Sequence, residues 1–184
     1  MSPGALAGLR VLDLSQVLAG PFCTQMLADH GAEVIKIEPP DGDPARRFAP
    51  FRPDDAERAF GGYFQSINRG KKSVMLDLKT TEDRDTFLRL IDSADVLVEN
   101  YRAGVMERLG LGYETLARRN SRLVYAAIRG FGDPRTGESP YTDWPAFDVV
   151  AQALGGIMGI TGPDPATPLK IGPGVGDTVP ALML

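Results

Sequence analysis

Short apolar runs alternate with helix-like segments along the whole chain, and this alternation is the strongest constraint on the fold. Five runs have the length and composition of β-strands, at residues 8–15, 32–38, 72–78, 95–101 and 123–130. In the second run, AEVIKIE alternates apolar and polar residues with the period of two that is typical of strands. Strands alternating with helices predict an α/β domain with a Rossmann-like, mostly parallel sheet, flanking helices and right-handed crossovers.

The helix predictions depend on signals at the helix ends. GPFCTQMLADHG (residues 20–31) has a proline in its first turn and a glycine at its end, as helices often do. Thr80, with Asp83 three residues later, gives a start that resembles a capping box. Residues 39–62 are rich in proline, glycine and charge and predict an excursion on the surface. Further helices are predicted at residues 105–109, 113–120 and 146–159.

The composition argues against several classes of protein. A formal net charge of -4 gives the chain no electrostatic basis for binding nucleic acid. One cysteine rules out an internal disulfide and agrees with a reducing, cytoplasmic location. No apolar stretch approaches the about 18 residues of a membrane span, and no signal peptide is recognisable. One cysteine and one histidine in the whole chain leave no basis for a metal site.

The common nucleotide-binding and hydrolase motifs are missing. The first strand is followed by QVLAGPFC rather than G-x-G-x-x-G, which removes the dinucleotide fingerprint. Neither a P-loop nor a G-x-S-x-G nucleophile elbow occurs. Ligands of open α/β sheets bind beyond the carboxyl ends of the strands. We therefore expect the site in the loops that follow Ser15, Glu38, Tyr101 and Gly130.

Among single residues, the basic ones are the more specific candidates for a binding site. His30 and Cys23 fall in the first predicted helix, and we interpret them as a helix-end histidine and a packing thiol. Arg and Lys at strand ends suit phosphate groups, although a solvated face is the simpler interpretation of either cluster alone. The clusters are Arg69, Lys71, Lys72 and Lys79 around the third strand, and Arg102 and Arg108 beyond the fourth.

Longer stretches of the sequence resemble a known family. The similarity to family III CoA-transferases runs through LAGLRVLDLSQVLAGPFCTQMLADHGAEVIKIEPPDGD, NRGKKSVMLDLK, ADVLVENYRAGVMERLGLGYETL, RLVYAAIRGFG and FDVVAQALGGIMGITG. The family includes formyl-CoA transferase and the carnitine and bile-acid CoA-transferases, and α-methylacyl-CoA racemase shares its fold. The resemblance implies transfer of CoA from an acyl-CoA to a small carboxylic acid. It implies coenzyme A as a substrate and no permanently bound cofactor.

The nucleophile of that family is an aspartate that follows a glycine near the start of a helix. Gly176-Asp177 in GVGDTVPA matches this pattern, so the resemblance implies that Asp177 is the catalytic residue. A carboxylate suits the reaction, because its attack on an acyl-CoA leads through a mixed anhydride to an aspartyl-CoA thioester. The surrounding glycines would let the backbone approach the substrate and offer N–H groups to an oxyanion. Without the family, Asp177 is interpreted as a helix cap or a turn residue.

The resemblance also implies where CoA binds. It assigns CoA contacts to Leu18, Ala19, Leu76, Asp77, Leu78, Lys79, Asn100, Tyr101, Arg102 and Arg108, and it assigns no metal ligand. Formyl-CoA transferase has glutamine where Leu18 stands and arginine where Pro39 stands. The first departure argues against formyl-CoA as the donor, and the second removes one phosphate contact.

The racemase is the rival function. Its mechanism needs a histidine immediately before an aspartate as one of two bases at the substrate α-carbon. Phe147 precedes Asp148 at the matching position, and His30 is far away in sequence. Phe147 therefore favours transfer over racemisation, and Asp148 is interpreted as a residue that caps or orients the following helix.

Family members are longer than this chain, which resembles their N-terminal half. We expect residues 1–184 to be the N-terminal part of the large CoA-binding domain, without the smaller second domain and the C-terminal return. Intact members are interlocked homodimers, so the full-length protein is expected to be a homodimer. Such a fragment is expected to be inactive alone, and an inactive CoA-binding remnant is the remaining hypothesis.

Overall fold

A five-stranded sheet is the centre of the structure, a computed structural model that describes residues 4–184. Its strands are ordered β3-β2-β1-β4-β5, and each neighbouring pair is parallel. The predicted α/β class with a Rossmann-like sheet is confirmed. The strands are β1 (Arg10–Asp13), β2 (Glu33–Glu38), β3 (Lys72–Met75), β4 (Val96–Glu99) and β5 (Val124–Ala127).

Seven α-helices connect and follow these strands within residues 4–184. The predicted capping start of the third helix is present, since the N–H of Asp83 donates to Thr80 Oγ1 at 3.3 Å. Short 3₁₀ helices occupy Pro44–Arg47 and Ile157–Ile160. The α-helices are α1 (Ala19–Asp29), α2 (Gly62–Asn68), α3 (Thr81–Ile91), α4 (Val105–Arg108), α5 (Tyr113–Arg119), α6 (Asp148–Leu154) and α7 (Val175–Met183).

Several predicted boundaries are wrong. Every strand is shorter than predicted, and residues 76–78 leave the sheet after β3. Helix α6 ends at Leu154 instead of continuing to residue 159, because Gly156 has a φ of +82° that ends a right-handed helix. Helix α2 lies at the end of the predicted excursion and was not foreseen, because seven residues carry little periodicity.

Different helices cover the two faces of the sheet. Successive residues of a strand point to opposite faces, so Leu12 and Val11 of β1 belong to separate apolar clusters. Leu12 shares its cluster with Phe87 of α3 and Leu116 of α5. Val11 shares the other with Val34 and with partly buried residues of α1. Each large apolar side chain buried in this way stabilises the fold by about 1.5–3 kcal/mol.

The strand order reverses between β1 and β4, and this switch point is where open α/β sheets form a ligand crevice. The side chain of Asn100, just after β4, joins the two loops that flank the crevice. Its Oδ1 accepts the N–H of Gln16 at 2.8 Å, and its Nδ2 donates to the carbonyl of Gln16 at 2.8 Å. The loops after β1 and β4 are thereby held at a fixed separation.

Candidate active site

Asp177 is the third residue of α7, and its side chain is half-buried. The N-cap of this helix is Gly174, and no side chain caps it. Within residues 4–184, no group donates a hydrogen bond to the Asp177 carboxylate. The interpretation of Asp177 as a helix cap is therefore wrong, and its carboxylate is accessible without breaking a contact of the fold.

The glycines around Asp177 allow close approach between parts of the fold. A Cβ added to Gly176 would lie 2.7 Å from the carbonyl oxygen of Asp148 and 2.8 Å from Ala151 Cβ. A Cβ on Gly174 would lie 3.2 Å from Leu18 Cδ2. These two glycines let α7 pack against α6 and against the loop before α1. That the glycines also let the backbone approach the substrate stays a prediction.

Asp148 ties the first turn of α7 to α6. Its Oδ1 accepts the N–H of Gly176 at 2.9 Å, and its two oxygens accept from Gln152 Nε2 at 2.8 and 2.9 Å. Lys170 Nζ lies 3.6 Å from its Oδ2. The interpretation of Asp148 as the cap of its own helix is wrong, since the N-cap residue of α6 is Phe147 and Asp148 instead fixes the backbone directly before Asp177.

The two carboxyls are shifted in opposite directions. Burial raises the pKa of Asp177, and the nearby charge of Asp148 raises it further. Burial also acts to raise the pKa of Asp148, but hydrogen bonds from Gln152 and Gly176 and the charge of Lys170 bring it below its ordinary value. Two acids whose environments separate their pKa values are a common feature of catalytic sites.

The charges of Asp177 and Asp148 also affect the phenol of Tyr63 in α2. Burial raises the pKa of its phenol, and the negative charges of Asp177, Asp43 and Asp148 raise it further. Its ring packs edge-on against Phe48 with centroids 5.6 Å apart. These effects favour the neutral form of the Tyr63 phenol.

A fully buried charge cluster lies at the carboxyl end of β1. Asp13 Oδ2 accepts from Lys71 Nζ and Thr24 Oγ1 at 2.8 and 2.7 Å, and its Oδ1 accepts from the backbone and hydroxyl of Ser15. Burial alone would raise the pKa of Asp13, but the charges of Lys36 and Lys71 hold it below its ordinary value. Burial lowers the pKa of Lys71 to about 8. This cluster forms the floor under the loop after β1.

The six cations of the two basic clusters form a paired group and an unpaired group in the structure. Arg69 pairs with Asp29 at 2.5 Å, Lys71 with Asp13, and Lys72 with Glu33 at 2.6 Å. By contrast, the other three cations of these clusters have no hydrogen-bond or ion-pair partner for their charged ends within residues 4–184, and all three are exposed. These are Lys79, Arg102 and Arg108.

The predicted CoA residues lie in the loops after β1, β3 and β4 or at the following helix, on the carboxyl side of the sheet. Leu18 is the N-cap residue of α1, and Ala19 is its buried first residue. Tyr101 is half-buried, and burial together with the charge of Glu99 raises its pKa to about 12. In the segment after β3, the side chains of Leu76 and Leu78 are 7% and 8% exposed and belong to the core.

That burial limits what the segment after β3 offers a ligand. Its accessible groups are the backbone, the half-buried Asp77 and the exposed Lys79. Asp77 Oδ1 already accepts the N–H of Lys79 at 3.1 Å. Lys79 is thus the side chain of this segment that is free to meet an anion.

The other single residues lie away from Asp177 or contribute packing. His30 is the C-cap residue of α1 and is exposed. Because α1 starts at the carboxyl edge of the sheet, its last residue lies near the opposite edge. Cys23 is buried within α1. Phe147 is the N-cap residue of α6 and is 67% exposed.

A cavity of about 450 Å³ lies between α4, α5 and the loop after β5, and contains none of the predicted site residues. Its two arginines are already paired. Arg129 donates to Glu99 at 2.5 and 2.8 Å, and Arg135 donates to Asp133 at 2.8 Å. This cavity offers no free cation to a phosphate.

Sequence reasoning missed Tyr63, Lys36 and Asp43. Tyr63 lies on the unforeseen helix α2, and Asp43 lies in the segment interpreted as a surface excursion. Lys36 stands in an alternating strand, where a lysine ordinarily points to solvent, yet it is 1% exposed. The one available signal was a lysine in β2, an interior strand of a parallel sheet, where both faces are ordinarily covered.

None of the helices within residues 4–184 has the length and apolarity to cross a membrane. In the same residues, no group of three or more His, Cys, Asp or Glu side chains is placed to hold a metal ion.

Known proteins resemble the chain along nearly its whole length. It is 59% identical over 180 residues to the succinyl-CoA:mesaconate CoA-transferase of Haloarcula hispanica, covering 98% of this chain and 46% of that protein. It is 48% identical over 170 residues to the acetyl-CoA:oxalate CoA-transferase of Acetobacter aceti, covering 92% and 41%. The chain thus spans less than half the length of these curated relatives.

A solved structure shows the same fold. The crystal structure of a CaiB/BaiF family protein from Brucella suis matches with a TM-score of 0.91 and 39% identity, over 99% of this chain and 47% of that one. The sequence also matches the profile of CoA-transferase family III over residues 6–184. The resemblance noted in the sequence is confirmed, and this chain belongs to CoA-transferase family III.

Proposed function

We propose that the full-length protein transfers CoA from an acyl-CoA thioester to an acceptor carboxylate, with Asp177 as the nucleophile. The observation that carries the proposal is the unpaired, half-buried carboxylate of Asp177 in the first turn of α7. Partial burial removes water from the carboxylate and raises its pKa, so less solvent must be displaced when a thioester approaches. Family membership adds the reaction class.

The proposed chemistry is a sequence of acyl exchanges that is balanced without a redox partner. An oxygen of Asp177 attacks the thioester carbonyl carbon, the C–S bond breaks, and CoA leaves as a thiolate. The thiolate then attacks the Asp177 carbonyl carbon and expels the donor acid as a carboxylate, which leaves an aspartyl-CoA thioester. The acceptor carboxylate repeats these two steps in reverse order and regenerates Asp177.

The phosphates of CoA would be held by the three unpaired cations among the predicted CoA contacts. Lys79 follows β3, Arg102 follows β4, and Arg108 ends α4. Their charged ends would not have to break an ion pair of the fold to bind a phosphate. Residues 1–184 would thus form the N-terminal part of the large CoA-binding domain of a homodimeric protein.

For the substrates, we propose small carboxylic acids, with succinyl-CoA as the first donor to test. The relatives named above act on succinyl-CoA with mesaconate and on acetyl-CoA with oxalate. Leu18 presents an apolar side chain toward Gly174, at the start of the helix that carries Asp177. An apolar side chain here agrees with a donor other than formyl-CoA.

Racemisation is the weaker candidate function. It requires a second base across the substrate α-carbon. The position before Asp148 holds Phe147, and His30 lies at the far end of α1. Neither residue supplies that base beside Asp177.

Trapping of the covalent intermediate tests the proposal. The full-length protein is incubated with succinyl-CoA and then treated with hydroxylamine or borohydride, and its peptides are analysed by mass spectrometry. A hydroxamate or a reduced side chain at Asp177 is expected, because both reagents attack an aspartyl thioester or anhydride. The Asp177→Asn variant is the control and should remain unmodified. Rapid α-deuteration of the acyl-CoA in deuterated water, with no adduct at Asp177, would instead establish racemisation.

A further inference from the structure

Val17, in the loop after β1, has a backbone conformation that its side chain disfavours. Its φ is +66°, in the left-handed region where a β-branched residue is a genuine outlier. Such conformations persist only where the surroundings enforce them, and they concentrate at functional sites. Val17 directly precedes Leu18 and Ala19, two predicted CoA contacts.

A buried ion pair holds Val17 in this conformation. Asp43 Oδ1 accepts the N–H of Val17 at 3.3 Å and the N–H of Ala45 at 2.9 Å. Its Oδ2 lies 2.9 Å from Lys36 Nζ, and both charged side chains are 1% exposed. Lys36 Nζ also donates to the carbonyl of Ser15 at 2.8 Å. The Lys36–Asp43 pair thus contacts the loop on both sides of Gln16, at the Ser15 carbonyl and at the Val17 N–H.

The left-handed turn directs the next residue toward the candidate nucleophile. Leu18 follows Val17, and its Cδ2 would lie 3.2 Å from a Cβ on Gly174, the N-cap residue of α7. Asp177 is in the first turn of that helix. A return of Val17 to an ordinary φ would rotate the following peptide and move Leu18 away from α7.

From this arrangement we infer that Lys36 and Asp43 are positioning residues for the transfer reaction. They hold Val17 in the left-handed conformation, and so place Leu18 and the start of α1 beside the first turn of α7. The inference rests on the proposed function. Buried ion pairs contribute little net stability, because the desolvation of the two charges offsets their attraction. A role in stability alone therefore does not explain why a buried ion pair contacts a strained loop.

The Asp43→Asn variant is nearly isosteric and tests whether the Lys36–Asp43 ion pair holds Val17 in its left-handed conformation. A buried Lys36 requires the amide oxygen, so the amide NH₂ group must then face the N–H groups of Val17 and Ala45. In the full-length protein, kcat/KM for transfer is expected to fall by more than tenfold, with a φ for Val17 that is no longer positive in the crystal structure of the variant.

Rescue separates positioning from simple stability. Glycine adopts positive φ without strain, so the same Asp43→Asn change should cost less than threefold in a Val17→Gly background. Arg58→Gly is the matched control, because Arg58 also has a positive φ, +50°, and is exposed in the segment before α2. It should rescue nothing. An equal loss of kcat/KM in the Val17 and Val17→Gly backgrounds would overturn the inference.

A second pair of changes covers the case in which Asp43→Asn alone does not fold. Lys36→Met with Asp43→Leu replaces both charges by apolar side chains, so no unpaired charge is left buried. The contacts of the pair to Ser15 and Val17 are lost, so kcat/KM is expected to fall by more than tenfold even where the melting temperature matches that of the parent. A folded double variant with kcat/KM within threefold of the parent would contradict positioning.

Failure of the proposed function would look different. If the unaltered full-length protein transfers no CoA, the reaction assignment is wrong, whereas the φ of Val17 can still be compared between crystal structures. A positive φ for Val17 in the Asp43→Asn variant would then refute the claim that the ion pair holds Val17 in this conformation.

Discussion

Burial acts to raise the pKa of both Asp13 and Asp177, yet the net shifts of the two carboxyls are opposite. Asp13 is fully buried at the end of β1, accepts hydrogen bonds from Lys71, Thr24 and Ser15, and has a pKa below its ordinary value. Asp177 is half-buried, has no donor within residues 4–184, and has a raised pKa. The difference is that hydrogen bonds and lysine charges offset the desolvation of Asp13, which has a structural role. The desolvation of Asp177, the proposed nucleophile, is not offset in this way.

The largest expected effect is the loss of chemistry at Asp177. Asp177→Asn in the full-length protein should lower kcat by about 10⁴-fold or more, because the nucleophile is lost. Its dissociation constant for CoA should change less than threefold. Steady-state transfer assays and calorimetric titration measure the two quantities. Asp85→Asn, an exposed change on α3, is the control, and near-normal turnover in Asp177→Asn would remove Asp177 from the mechanism.

The matching change at Asp13 should damage the fold. Asp13→Asn leaves Lys71 buried without its carboxylate, and breaking such a pair costs about 3–5 kcal/mol of unfolding free energy. Chemical denaturation of both aspartate variants measures the difference. Comparable stabilities for Asp13→Asn and the unaltered protein would mean that the distinction between the two carboxylates is wrong.

The unpaired cations should matter for CoA in a way that paired ones do not. Lys79→Ala and Arg108→Ala should weaken CoA by about 1.5–3 kcal/mol each, as expected for charge-assisted contacts, and should leave pantetheine thioesters nearly unaffected. Arg69→Ala is the control, since Arg69 is paired with Asp29. Equal losses for CoA and pantetheine thioesters would show that neither cation contacts the nucleotide end.

A change at Gly176 tests whether α7 is held by close packing. Gly176→Ala places a Cβ 2.7 Å from the Asp148 carbonyl oxygen, so we expect about 1–3 kcal/mol of lost stability from overpacking and slower transfer. Gly172→Ala is the matched control, because a Cβ there meets nothing within 4 Å. Indistinguishable melting temperatures for the two variants would contradict the packing argument.

The smallest effect concerns stability against pH. The folded-state pKa of Asp177 is raised, so ionisation of this carboxyl disfavours the folded state as pH rises through that pKa. Asp177→Asn should therefore be more stable than the unaltered protein near neutral pH. The difference should shrink as pH falls below the ordinary value of 3.8, where both states are protonated. Melting temperatures measured across this range check the sign, and a constant difference would contradict it.

The sequence predicted the sheet better than it predicted the site. Parallel order and the loops at the carboxyl edge follow from alternating patterns that are local, and the family resemblance placed Asp177 at the start of a helix. The hydrogen bond from the Gly176 N–H to the Asp148 carboxylate joins residues 28 apart in sequence, and no local pattern encodes it. Lys36 was missed because periodicity describes which face a residue is on, not whether that face is buried.

The basic residues illustrate the same limit. Arg69, Lys71 and Lys72 look as suitable for phosphate as Arg102 and Arg108 in the sequence. Only the folded arrangement shows that the first three are engaged by acids from other elements. Whether a cation is available to a ligand depends on partners brought close by folding.

The two hydrogen bonds between the Asn100 side chain and Gln16 have a consequence for how the crevice forms during folding. They join residues 84 apart in sequence, and closing so long a loop costs entropy before any contact repays it. The loop after β1 therefore reaches its final position only after β4 has joined the sheet. During synthesis, β1, β2 and β3 emerge before β4, so the crevice would stay open until β4 is available to pair with β1.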